Sequence, residues 1–254
     1  MTFPFWTYPL LFIVGVVAGL VDAIAGGGGI ITLPVLLNLG LPVPLALGTN
    51  KLQSSFGSLS ATVHYARLGL IDWRFARLGI IFTACGALGG ALAVRIIDGQ
   101  ILSQLIPWLL GAIVLYSIFR PNVGAADHPP RMSPGWFFIC FGMGLGFYDG
   151  FFGPGTGSFW TIALVMVQGY NFLKATAYTK VMNATSNLAS LGFFIWTGNV
   201  DYTAGAVMGA GQWVGARLGT GLVVKKGARF IRPLFLVMAV LTVVRLLYVS
   251  LQNP

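Results

Sequence analysis

The sequence predicts an all-α polytopic membrane protein made of two inverted five-segment repeats, with one short broken helix in each half. Three observations predict it: too few charges for a water-facing surface, ten successive apolar runs, and a set of landmarks that recurs once along the chain. Of 254 residues, 56% are hydrophobic and 8% charged, and mean hydropathy is +0.83. Soluble domains carry about 25% charged residues. Lipid must therefore solvate most of these side chains. The 35 Gly agree, because small residues let transmembrane helices pack closely.

The runs lie at 9–25, 29–39, 52–68, 75–95 and 101–119, then at 134–152, 157–168, 180–197, 203–224 and 231–250. Spanning the hydrocarbon core takes about 20 apolar residues. Eight runs approach that length, whereas 29–39 and 157–168 fall short. The one stretch of soluble character, 120–133, holds Pro121, Asp127, His128, Pro129, Pro130 and Arg131. It divides the chain into a first repeat (1–120), a cytoplasmic linker (121–133) and a second repeat (134–254). No Lys or Arg precedes Lys51, and no small-residue cleavage site follows the first run, so that run reads as a retained helix.

The repeat rests on landmarks in one order. Gly19, Asp22 and Gly26 match Gly146, Asp149 and Gly153, each set followed by a glycine-rich turn and a short run. Lys51 matches Lys180, Asp72 matches Asp201, Gly90 matches Gly215 and Pro107 matches Pro233, at offsets of 125 to 129 residues. Loop charge then sets the orientation. With five segments per half, the loops at 67–77 and 225–232 and the linker share one side and carry 9 basic residues, against 1 on the other. Four crossings per half would split them evenly. The bias of basic residues toward cytoplasmic loops selects the odd number, giving inverted halves in an inner membrane with both termini periplasmic. The net charge of +9 has the same origin, and no basic–aromatic stripe points to nucleic acid.

Several groups could bind a ligand. Gly26, Gly27, Gly28 and Gly29 form one turn, and Gly153, Gly155, Thr156 and Gly157 belong to the other. Consecutive glycines let backbone N–H groups converge, and a helix starting there aims its positive dipole end at the turn. Two such turns beside two short helices fit discontinuous transporter helices and an oxyanion. The other reading is close packing alone. Asp22 and Asp149 precede the turns. A carboxylate in the hydrocarbon region costs about 2.5–3.5 kcal/mol, and burial favours its neutral form. They are candidates for proton coupling, or else caps for the freed N–H groups of the break. Lys51 and Lys180 could balance an anion or an aspartate, or snorkel to headgroups.

Asn50, Gln53 and Ser54 surround Lys51, and Asn183, Ser186 and Asn187 surround Lys180. Residues 180, 183 and 187 share one helix face, offering a cation and two amides. Trp160 and Trp213 sit within runs and are candidate pocket walls, whereas the other tryptophans mostly flank runs as an aromatic belt would. His64, near Arg67, reads as an interfacial hydrogen-bonder or a proton relay, and Arg217 as a snorkelling side chain or an anion ligand. Cys85 and Cys140 read as small buried residues, neither a disulfide nor a metal pair.

The stretches from Asp22 to Pro34, Gly48 to Gln53, Gly146 to Ser158 and Ala175 to Asn187 resemble the sulfite exporter TauE/SafE family, and within it the YfcA-like branch. The likeness runs from about residue 15 to 250. It implies export or uptake of sulfite, sulfonates or related organic acids. No Zn spacing or phosphate-binding loop is present, so neither enzyme nor ATPase is expected, and no cofactor. The expected partners are a small anionic solute, the lipid bilayer and protons. An ion-coupled secondary transporter working by alternating access is the leading reading. A passive anion channel and a membrane factor without its own substrate are the alternatives.

Overall fold

The computed structural model describes residues 4–94 and 126–226, and among them every regular element is helical. The first half gives α1 (Thr7–Ala25), α2 (Gly28–Asn38), α3 (Val43–Arg67) and α4 (Trp73–Ala93). The second begins with α5 (Pro134–Phe137), which passes through a π turn (Phe138–Gly142) into α6 (Met143–Phe151). Then follow α7 (Thr156–Met166), α8 (Phe172–Trp196) and α9 (Tyr202–Lys226). The runs at 101–119 and 231–250 lie outside the described residues, as do Pro107, Pro233 and the linker up to 125.

Local chemistry sets the boundaries. Asp72, Asn171 and Asp201 stand before α4, α8 and α9, and their side chains accept from the amides of Arg74, Lys174 and Ala204 at 2.9–3.0 Å. Gly69 and Gly198 follow α3 and α8 with the same positive φ of 69°. Both α3 and α8 start eight or more residues upstream of the apolar runs at 52–68 and 180–197. The polar residues that interrupt the hydropathy there face the interior, so they lie inside the helix instead of before it.

Helix directions follow from close glycine contacts. Gly211, Gly215 and Gly219 of α9 meet Phe12, Val16 and Leu20 of α1 in ascending order, so these helices run parallel. Gly205 and Gly209 meet Leu52 and Phe56, which aligns α3 with them. In the other group, Gly142, Gly146 and Gly150 meet Phe82, Thr83 and Ala87, making α6 parallel to α4. Gly48 near the start of α3 meets Phe194 and Asn199 at the end of α8, so α3 and α8 are antiparallel. Between α1 and α3, α2 runs back: Gly28 lies beside Ala18 and Asp22, and Leu36 clusters with Leu11.

At 11 residues, about 16 Å, α2 and α7 are each shorter than a hydrocarbon core of about 30 Å. Each folds back on the helix before it, so α1–α2 and α6–α7 are hairpins.

The distribution of polarity is inverted relative to a soluble core. Thr32, Asn50, Lys51, Gln53, Lys180 and Gln212 are buried, while Ile13, Ile81, Leu92, Leu188 and Leu218 are exposed. Trp6, Trp73, Trp136 and Trp196 are exposed at or beside helix ends, where an aromatic belt would sit. Two helices, α1 and α4, are long and apolar enough to cross a membrane by length and composition. The 25-residue α3, α8 and α9, each about 37 Å, have the length and carry polar residues inward. Cys85 and Cys140 are exposed, which corrects the expectation of burial. A surface that faces lipid accepts such residues as readily as a core does.

Candidate functional site

The two glycine turns meet. α1 closes with Gly26 in the left-handed region (φ 74°), whose amide donates to Asp22 O at 2.8 Å. In the second half, Gly153 and Gly155 take φ of 96° and 85°, and Gly155 immediately precedes α7. A Cβ placed on Gly26 would stand 2.5 Å from Gly157 Cα, and one on Gly157 would stand 2.5 Å from Gly26 Cα. Only glycine permits this approach, which brings the tips of the two hairpins together between the halves.

Around this contact the charged residues pair across the halves. Lys51 Nζ lies 2.7 Å from Asp149 Oδ1, and Lys180 Nζ lies 3.0 Å from Asp22 Oδ2. Each ammonium also donates to the backbone carbonyl of the same aspartate. Both lysines are the ninth residue of their antiparallel helices, about 12 Å of rise from opposite ends. A second exchange-related couple supports the same arrangement. Asp201 N donates to Thr49 Oγ1 at 2.9 Å, and Asp72 N donates to Tyr178 OH at 2.9 Å.

The pairs differ in finish. Asp149 is 4% exposed, and its second carboxylate oxygen accepts from Ser186 Oγ. Asp22 is more open, with its side chain 16% exposed against 6% for Asp149. Among the described residues its second oxygen accepts from the Gly28 amide, at 3.4 Å. The repeat places Gly57 where the second half has Ser186, so no hydroxyl reaches Asp22 from that position.

Between the two pairs lies a polar cavity of ≈ 30 Å³. Asp22, Gly26, Gly29, Asn50 and Lys51 line it from the first half, with Ser54. Asp149, Gly153, Gly155, Thr156, Gly157, Asn183 and Asn187 line it from the second. Asn50 Oδ1 accepts from Thr32 Oγ1 at 2.6 Å and from Gln53 Nε2 at 2.8 Å, which leaves its amide nitrogen to the cavity side, 3.7 Å from where a Gly29 Cβ would be. Asn183 Oδ1 is buried without a hydrogen-bond partner among the described residues. The wall thus offers amide groups, glycine backbone and one lysine, whose donors suit an oxyanion, together with the carboxylates of Asp22 and Asp149.

Most of the residues singled out from sequence converge here, and some do not line the cavity. Gly27 and Gly28 lie behind the first turn, Gln53 braces Asn50, and Lys180 is screened by Asp22. Trp160 is fully buried among Phe137 and Phe138, and Trp213 is exposed, so neither is a cavity wall. Arg217 is exposed and also outside it. His64 is half-buried against Tyr65, away from the cavity. Sequence reasoning missed Gln212, which is 1% exposed and packs against Gly28 and Gly57. A lone amide within the apolar run 203–224 was the available signal.

Comparisons with known proteins agree on one family. The model of the sulfite exporter TauE/SafE family matches residues 11–246. A probable membrane transporter protein, YfcA, from Escherichia coli strain K12 is 42% identical, covering 95% of this chain and 90% of that one. A probable membrane transporter protein from Haemophilus influenzae is 44% identical over 94% of both chains. One from Sinorhizobium sp is 44% identical over 93% of this chain and 91% of its own. No solved structure matches the chain.

Proposed function

Because the chain belongs to the sulfite exporter TauE/SafE family, we propose that it is a secondary transporter of a small anion, such as sulfite, a sulfonate or another organic acid. The observation that carries this reading is the polar cavity enclosed by two glycine turns and two lysine–aspartate pairs, each pair drawing one partner from each half. The substrate would sit there, held by Asn50, Lys51, Asn183, Asn187 and the glycine backbone. Paired, interrupted helices at a repeat interface are the usual site of transporter binding.

The two repeats, 1–120 and 134–254, are inverted in this reading, joined by a cytoplasmic linker at 121–133. Helix directions support it. The end of α3, the end of α9 and the start of α6 lie at one end of the bundle, and the basic loops cluster there. The hairpins enter and leave by one side each; with one crossing expected from sequence for each of the runs at 101–119 and 231–250, the number of full crossings per half stays odd and the charge asymmetry is unchanged. That end faces the cytoplasm of an inner-membrane protein, and both termini face the periplasm.

The cavity of ≈ 30 Å³ has room for about two or three waters. Carrying a solute across needs the hairpins to part. Rocking of one half against the other would open the Gly26–Gly157 contact first to one side and then to the other, coupled to an ion gradient through a carboxylate of the site. A thermal-shift screen of the purified protein against sulfite, thiosulfate, methanesulfonate and small carboxylates tests the solute class. Binding at 100-fold excess over Kd stabilises by about 2.7 kcal/mol. Stabilisation by one of these anions is expected. Stabilisation by cations or neutral solutes alone would contradict the reading.

A further inference from the structure

The sequence treats Asp22 and Asp149 as equals, and the geometry separates them. We propose that Asp22 alone takes up a proton with each monoanion bound, while Asp149 stays in a fixed pair with Lys51. This rests on the anion-site reading above and assigns its coupling step.

Three observations carry it. The charged side chains on the cavity wall are Lys51, Asp22 and Asp149, so an anion entering the ionised site meets two carboxylates and one ammonium. Asp149 has both oxygens engaged, by Lys51 and by Ser186, and is nearly sealed. Asp22 is the more open, and among the described residues the hydrogen bond to its Oδ1 is the 3.4 Å contact from Gly28. The groups that face Asp22 are Lys180 from α8, Tyr65 from α3 and the Gln212 amide from α9. Neither α2 nor α7 contains a titratable side chain.

The charge balance follows. When Asp22 takes a proton, its carboxylate becomes a neutral acid and Lys180, fully buried behind it, loses its counter-charge. An unpaired ammonium in that position is costly. An anion entering the neighbouring cavity supplies the missing charge without needing to touch Lys180. Each event lowers the cost of the other, so proton and anion binding are reciprocally linked. One proton accompanies one negative charge, and the loaded site has the same net charge as the empty one.

The test uses the purified full-length chain and methanesulfonate, whose charge is constant across the range, with sulfite and thiosulfate alongside. Apparent affinity of the wild type should rise as pH falls, by at most about tenfold per pH unit, the limit set by one proton per anion. In weakly buffered detergent, an indicator dye should report one proton taken up per methanesulfonate bound. Asp22→Asn, a mimic of the protonated acid, should bind with an affinity that no longer changes with pH. The same slope surviving in Asp22→Asn overturns the assignment, as does anion binding by the wild type without proton uptake. Failure of every anion to bind the wild type at any pH would instead overturn the anion site itself, and this proposal with it.

Discussion

Lys51, in the first half of the chain, reaches Asp149 in the second at 2.7 Å, and the repeat-related Lys180 reaches Asp22 at 3.0 Å in the opposite sense. Each half thus lends an ammonium to the other's broken helix. The fold and the candidate site are joined at these two contacts.

Lys51→Ala should destabilise strongly. It leaves the Asp149 carboxylate buried with Ser186 as its remaining side-chain partner, and breaking a buried pair from one side costs about 3–5 kcal/mol. Replacing both partners with apolar residues of similar size, as in Lys51→Met with Asp149→Leu, should recover much of that loss. Melting of the purified variants measures it. Equal destabilisation by the single and double changes would show that the pair does not couple the halves.

Gly157→Ala should be poorly tolerated although its backbone φ is ordinary, because the new methyl would run into Gly26. Gly192→Ala, where no neighbour lies within 4 Å, should be neutral or slightly stabilising, as helical alanine is favoured over glycine by about 1 kcal/mol. Expression and melting temperature compare the two. Similar behaviour would mean that the turns do not depend on their close approach.

Single cysteines in the short loops report the sides. With Cys85 and Cys140 replaced by Ala, cysteine at Gly40 or Gly198 should react with an impermeant thiol reagent added to whole cells opened only at the outer membrane. Cysteine at Gly69 should react only after lysis. Each of these glycines has open space around it and a positive φ, so the strain is about 1–2 kcal/mol and the fold should survive. Labelling of position 69 from outside would reverse the proposed orientation.

Much of this was legible in the sequence, because hydropathy, punctuation and repetition act locally. Asp22, Asp149, Lys51 and Lys180 stand out because charge is rare in apolar runs. The start of α3 at Val43 was not legible, since Asn50 and Lys51 interrupt the hydropathy exactly as a loop would. The exchange of partners between halves was hidden as well. Spacing shows one such lysine and one such aspartate in each half, but only the packing of the halves against each other decides which meets which. Gln212 was passed over for a similar reason: its burial comes from α1, α2 and α3, distant in sequence.

The central claim, one anion site between two glycine turns, is tested most directly by locating an anion. Selenite is a heavier analogue of sulfite, and its selenium scatters anomalously. A crystal of the protein soaked in selenite should show one selenium peak in the cavity lined by Gly29, Gly153 and Gly155, within hydrogen-bonding reach of the Asn50 and Asn183 amides. A peak elsewhere in the bundle, with that cavity left without one, would contradict the account.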